Sequence, residues 1–377
     1  MIKKLAWKEI DLSSLLHNLS VIKDNVGDNV EIIPVVKADA YGHGAIIISR
    51  FLSKYGIKRF AVALLEEGIE LRKAGIKEQI LVLTPQFKDA IPYLIKYNLT
   101  PVISSIDFFE ELGRFTYRRN IPFSFHVSVD TGMGREGLLE EDLDSFITIW
   151  RKYSHLTLEG LSSHLSSSEN KEDKYNEKQL KIFDRVYSKL REMGWEGISH
   201  VANSGGIWNF PKAFYNAVRP GIALYGYGME DLKPVMSVHA KITLIKRLPE
   251  GWGVGYNHTY TTTKETLIAL IPVGYADGYR RELSNKSFVI IKNKKFPVIG
   301  RISMDQTIID ISSDPYIRVG DEVIVMGRSE SHNIDAEVIA KMVGTIPYEI
   351  LTGFGMAKRL GNIYVNDSSL VLSSRQG

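Results

Sequence analysis

The chain has 377 residues, 44% hydrophobic and 24% charged, and its 47 Lys and Arg against 44 Asp and Glu leave a net charge of +3. That length suits two domains, and the balance predicts neither a nucleic-acid surface nor a polybasic membrane patch. Cysteine is absent, which excludes disulfides, thiolate nucleophiles and Cys-bound zinc, and the nine histidines show no metal-binding spacing.

The opening "MIKKLAWKEIDLSS" has no apolar run of signal-peptide length before Glu9 and Asp11. No uncharged apolar stretch is long enough to cross a bilayer, so a cytoplasmic protein is expected. Eight β-rich runs come next: "EIIPVVK" (31–37), "FAVAL" (60–64), "ILVLT" (80–84), "TPVISS" (100–105), "FSFHVSVD" (123–130), "LEGLSSH" (158–164), "ISHVANS" (198–204) and "NAVRPGIALYG" (216–226). Their spacing of about 20 to 40 residues is the rhythm of strands joined by crossover helices. "LLEEGIELRKAGI" (64–76) fits one such helix, with Leu65, Ile69, Leu71 and Ile76 near one face and Gly75 as its stop. The fold class expected is α/β: an N-terminal (β/α)8 TIM-type barrel over 1–232, whose first few residues can pair with the C-terminal domain.

After "YGYGMEDLKP" (225–234) the pattern becomes alternating runs and turns, which predicts a mainly antiparallel β domain over 233–377. Within it "IKNKK" (291–295) fits a polar hairpin turn, and "NIDAEVIAKMVG" (333–344) fits a helix capped by Asn333.

Barrel chemistry sits at the C-terminal ends of the strands. The first run ends "VVKADAYGHG", placing Lys37 at the mouth after apolar residues and before a Gly-rich turn, with Tyr41 just beyond. Most lysines are solvated, but a lysine partly desolvated at a barrel mouth has a lowered pKa and forms Schiff bases. The seventh and eighth runs end in "ANSGG" and "RPG", where barrels often bind phosphate on backbone N–H groups. Ser204 adds a hydroxyl there, and Gly221 permits close approach of an anion. A Schiff-base lysine opposite a phosphate cradle suggests pyridoxal 5′-phosphate. Arg219 is then placed to face the pyridine nitrogen, against the blander reading of a structural arginine.

"PVVKADAYGHG" resembles the cofactor-lysine signature of the alanine racemase family. "VDTGMGR", "ANS", "RPGIALYG", "GWGVGYNHTY", "PVGYADGY" and "GRISMDQ" resemble further motifs of that family in the same order, over almost the whole chain. The resemblance implies racemisation of L- and D-alanine on pyridoxal 5′-phosphate, through a Schiff base with the amino acid and by two bases, supplying D-alanine for peptidoglycan. It implies that Lys37 binds the cofactor and is one base, and that Tyr256 of a partner subunit is the other. Tyr41, Ser204, Gly221 and Ile222 would hold the phosphate and Asn203 would belong to the cofactor site, with Arg219 at the ring nitrogen and His164 close to the ring and to Arg219. Arg135, Met304 and Asp305 would meet the substrate carboxylate, and Tyr275 would line the entry from the other chain. A homodimer is therefore expected, with no nucleic-acid or membrane partner.

The roles cohere physically. Racemisation takes a proton from one face of a planar centre and returns one to the other, so two bases on opposite sides are required. Taken alone, His164 reads as a satisfied buried histidine, Tyr256 as a strand aromatic and Met304 as core filling; the motifs around them change that.

Two places depart from the family pattern. Where many members carry a carbamylated lysine that holds the following arginine, this chain has Ser128. Arg135 is thus expected to lack its acidic partner, with a chloride or another carboxylate in its place, and an inorganic anion near Ser128 and Arg135 is the leading expectation. Near the end, "YEILTGFGMAKRLGNIY" (348–364) is about two residues longer than the family segment bearing a pocket tyrosine, so Met356 or Lys358 is expected at that spot. This keeps open a racemase of serine, lysine or another amino acid. A decarboxylase of the same layout relies on a cysteine that this chain lacks, and a non-catalytic pyridoxal-phosphate carrier leaves the second domain unexplained.

Overall fold

The computed structural model describes residues 4–366 and 372–373. Its first strand, β1 (Ala6–Asp11), belongs to the second half of the molecule, and the helix Leu12–Val26 then leads into the barrel. Asp11 starts that helix by accepting from the N–H groups of Ser13 and Ser14.

Eight parallel strands form the barrel: β2 (Glu31–Ile32), β3 (Arg59–Val62), β4 (Gln79–Val82), β5 (Thr100–Ile103), β6 (Phe123–Ser128), β7 (Leu156–Ser162), β8 (Ile198–His200) and β9 (Ala217–Val218). The order β2-β9-β8-β7-β6-β5-β4-β3 runs round the ring, and the parallel bridge Val35↔Ala61 closes it. All eight runs read from the sequence become strands. They read as apolar runs because each is covered on both faces, as Ile80, Leu81 and Val82 illustrate by being fully buried in succession. Arg59 braces the barrel floor between Glu31 and Glu159.

In the second half, β10 (Met236–Lys241) pairs antiparallel with β1 and with Glu322–Arg328, while β1 pairs in parallel with Gly361–Val365. Leu244–Leu248, Thr266–Ile271 and Thr307–Asp310 form a separate antiparallel sheet. The hairpin Phe288–Ile291/Lys294–Pro297 turns through Lys292 (φ 47°) and Asn293 (φ 60°). Positive φ at both central residues is the turn whose twist matches paired strands, and it accounts for the polar "IKNKK".

Two local expectations change. The helix after "NID" spans Ala336–Val343 and is capped by Asp335, whose Oδ1 accepts from Glu337 and Val338 N–H. Asn333 instead donates to Asp335 Oδ2 at 3.0 Å, as does Arg328 at 2.7 Å, so the carboxylate is held where it can cap. "YEILTGFGM" belongs to a helix, Pro347–Met356, within a region expected to be mainly strand. Among the described residues no helix is long and apolar enough to cross a membrane.

Candidate active site

At the C-terminal ends of the barrel strands lies a cavity of about 400 Å³, lined by Lys37, Tyr41, Ser128, Arg135, His164, Asn203, Ser204, Arg219, Gly221 and Ile222 among others. Lys37 follows the closing bridge of the first barrel strand. The next four residues, Ala38 to Tyr41, turn left-handed with φ between 51° and 55°. For L-residues that conformation costs about 1–2 kcal/mol each, so the surroundings must hold it. Glu67 Oε1 accepts from Ala38 N–H at 2.6 Å, and Asp39 Oδ1 accepts from Ala45 N–H at 2.7 Å. Buried Lys8, on β1, donates to Gly355 C=O at 3.1 Å and Gly42 C=O at 3.5 Å. The expected Gly-rich turn is thus a strained turn braced by both domains. Burial, and then the nearby Arg135, hold the Lys37 ammonium below the usual lysine range, while Glu136 and Glu67 oppose them.

One end of the cavity is built to donate hydrogen bonds. Ser204 Oγ accepts from the N–H groups of Gly221 (3.0 Å) and Ala223 (3.2 Å), which leaves its own proton free to point at a ligand. Tyr41 lies between the rings of Tyr225 and Tyr348, at 4.9 and 5.8 Å. Burial raises the Tyr41 pKa, so it stays a neutral donor. A Cβ at Gly221 would lie 2.4 Å from Tyr41 Oη, so glycine here makes room for the tyrosine hydroxyl. Donors at this end, an amine with a depressed pKa at Lys37 and a buried guanidinium on the wall fit pyridoxal 5′-phosphate.

Arg219 anchors that wall. Its Nη2 donates to Ser163 C=O at 2.6 Å and to His164 Nδ1 at 3.3 Å, and its Nη1 donates to His200 Nδ1. Burial pushes Arg219 down to about 10, with Glu136 opposing, so it remains a cation near neutrality. Arginine has no acceptor, which fixes the protons behind it. Burial and Arg219 hold His200 neutral, so its proton is on Nε2 and is donated to His126 Nδ1 at 2.8 Å. His164 is likewise neutral, pushed down to about 3 by burial and then by Arg219. Asn203 caps the short helix Ser204–Asn209 and sets its Nδ2 3.3 Å from His164 Nε2.

The "VDTGMGREG" loop closes on its own strand: Leu138 N–H donates to Ser128 C=O at 2.8 Å and Asp130 N–H to Leu138 C=O at 2.9 Å. Asp130 Oδ1 accepts from Gly132 and Gly134 N–H, which shapes the turn that presents Arg135. Arg135 does not lack an acidic partner. Glu136, the next residue, places Oε1 2.9 Å from Arg135 Nη2 and itself lines the cavity.

Among the described residues, Tyr256, Tyr275, Met304 and Asp305 do not line this cavity. Tyr275 N–H donates to Ser303 C=O and Ala276 N–H to Met304 C=O, so Tyr275 and Met304 sit side by side on the second domain. Arg359 pairs with Asp305 at 2.6 Å and with Asp277 at 3.3 Å. Tyr256 is 67% exposed, on a short turn after Gly253–Val254. Met356 and Lys358 are both exposed and neither lines the cavity; Tyr348, eight residues before Met356, does. The first turn of the helix Pro347–Met356 carries it there. Sequence reasoning thus missed Tyr348, Glu67 and Glu136. Glu136 carried a visible signal, a carboxylate directly after the motif arginine.

Residues 10–228 match the family model for the alanine racemase N-terminal domain, and residues 235–364 match that for the alanine racemase C-terminal domain. The chain is 43% identical over 350 residues to an alanine racemase of Thermodesulfovibrio yellowstonii, covering 92% of this chain and 94% of that protein. It is similar to the structure of alanine racemase from Clostridium difficile 630, with a TM-score of 0.92, 36% identity and 99% of each chain covered. The structure of a Bartonella henselae alanine racemase with covalently bound pyridoxal phosphate matches with a TM-score of 0.87 and 32% identity, covering 96% of this chain and 100% of that one.

Proposed function

Because the chain belongs to the alanine racemase family, we propose that it interconverts L- and D-alanine with pyridoxal 5′-phosphate, in a two-fold dimer whose sites draw on both subunits. The observation that carries the reading is the composition of one cavity: the Lys37 amine and Arg219 share it with the donor pair Tyr41 and Ser204. When bound, pyridoxal 5′-phosphate supplies an electrophilic aldehyde and a conjugated ring that withdraws electron density from the α-carbon of an attached amino acid. Lys37 would hold it through the amine, Tyr41 and Ser204 would donate to its phosphate, and Arg219 would face the ring nitrogen as a permanent donor.

The protein residues divide the remaining work. Lys37, its pKa depressed by burial and Arg135, can take or return the α-proton on its own face. The opposite face needs a second base, and the exposed Tyr256 of a partner subunit fits that need. Arg135, turned into the cavity by the Gly132–Gly134 turn, would bind the substrate carboxylate. Tyr275, Met304 and Asp305 share Tyr256's domain and would complete the mouth from the partner's side. A function in supplying D-alanine for peptidoglycan, in the cytoplasm, follows from this reading.

The test is loss of optical activity across a panel of L-amino acids, alanine, serine and lysine included, with Lys37→Ala and Tyr256→Phe as controls. Alanine is expected to turn over fastest and both variants to be inactive. Mixing the two inactive variants should restore about a quarter of the activity, because half of the dimers then hold one intact site. Full activity in both variants would overturn the two-base assignment.

A further inference from the structure

We propose that Glu136 is a positioning residue of this site: its carboxylate holds the Arg135 guanidinium and supplies the negative charge that the cavity's cations require. Lys37, Arg135 and Arg219 all line the cavity, and the carboxylates lining it are Asp130 and Glu136. Asp130 is committed to the turn through the N–H groups of Gly132 and Gly134. Glu136 points its Oε1 at Arg135 from 2.9 Å with its side chain 25% exposed, against 52% for Arg135. Its charge also reaches the other two cations, since it favours the protonated forms of both Lys37 and Arg219.

The backbone explains why this acid can orient its neighbour. Glu136 directly precedes Gly137, where a Cβ would lie 2.4 Å from Asp130 N, and the Leu138–Ser128 hydrogen bond comes immediately after. The carboxylate is therefore mounted at the stapled end of the loop, and the longer, more exposed arginine takes its direction from it. Ser128, the last residue of β6, is buried and uncharged. Arg135 is half exposed and solvated, so what it needs from a counter-charge within a few ångströms is a fixed direction. Here Glu136 provides it, so no inorganic anion is needed between Ser128 and Arg135.

This inference rests on the racemase reading for its kinetic arm and stands apart from it in its binding arm. In the binding arm, crystals of wild type and Glu136→Gln are soaked in bromide and the anomalous signal is read beside Arg135. Bromide is expected there in the variant and not in wild type. In the kinetic arm, Glu136→Gln raises KM for alanine about tenfold, the loss of one charge-assisted contact. Added chloride brings it back toward wild type, while wild type ignores chloride. Glu136→Asp, which keeps the charge, should hold KM near wild type and exclude bromide. Bromide beside Arg135 in wild type, or an unchanged KM in Glu136→Gln, would overturn the assignment. Absence of alanine turnover in wild type would instead defeat the racemase reading and leave the bromide result to decide on Glu136.

Discussion

Gly42 and Gly355 meet backbone to backbone: a Cβ on Gly355 would lie 2.2 Å from Gly42 Cα. This contact joins the strained turn after Lys37 to the helix Pro347–Met356, and Lys8 donates to the carbonyls of both glycines. Gly355→Ala therefore overpacks a junction with no flexible side chain to yield. A loss of about 1–3 kcal/mol is expected in chemical denaturation, together with weaker cofactor retention because the Lys37 turn must shift. Wild-type stability in this variant would show that the junction is soft.

Tyr41→Phe keeps the rings packed at Tyr225 and Tyr348 and removes one hydroxyl. A hydrogen bond to a charged group contributes about 1.5–3 kcal/mol, so cofactor affinity should fall roughly 10- to 100-fold by spectrophotometric titration. Gly221→Ala should act in the same direction, since its Cβ would press on Tyr41 Oη at 2.4 Å. Unchanged affinity in Tyr41→Phe would remove that hydroxyl from the phosphate site.

Lys8 is 3% exposed, and burial lowers its pKa from 10.5 to about 8, with Asp39 opposing. Between those two values the unfolded chain binds the proton and the folded chain does not. Stability from this group therefore rises with pH from about 8 to 10.5 and is flat above. Denaturation of wild type and Lys8→Met across that range should differ in slope, the variant lacking Lys8's rise of up to about 1.4 kcal/mol per pH unit.

Acid should act through the buried histidines. His43, His126 and His164 are pushed down to about 3 and His200 is also lowered, burial being the first cause in each. Their folded pKa values lie below the unfolded 6.5, so they are neutral in the fold and take up protons on unfolding. Their contribution is complete above pH 6.5 and is lost as pH falls toward 3. Denaturation from pH 7 to 4 should steepen accordingly, and His43→Asn should reduce the slope by about 1.4 kcal/mol per unit. An identical slope in the variant would contradict a neutral His43.

Much of the fold was legible in the chain. The eight apolar runs became β2 to β9 because parallel strands covered on both faces must be apolar, and that demand is local. Lys37, Ser204, Arg219 and Gly221 are picked out by the rule that barrel chemistry sits at strand ends, and all four line one cavity. The helix cap went to Asp335 rather than Asn333 because Asn333 and Arg328, two and seven residues back, hold the Asp335 carboxylate in place. The helix carrying Tyr348, where mainly strand was expected, packs Gly355 on Gly42 from the far end of the chain.

The sequence by itself determined the order of elements, the two architectures and the residues at the strand ends, since hydrophobic period and glycine placement act over a few residues. Tertiary structure decided what those residues face. It set Gly221 against Tyr41 and bound the turn after Lys37 to Gly355. Steric fit and Coulomb interaction depend on distance in space, and distance along the chain does not report it.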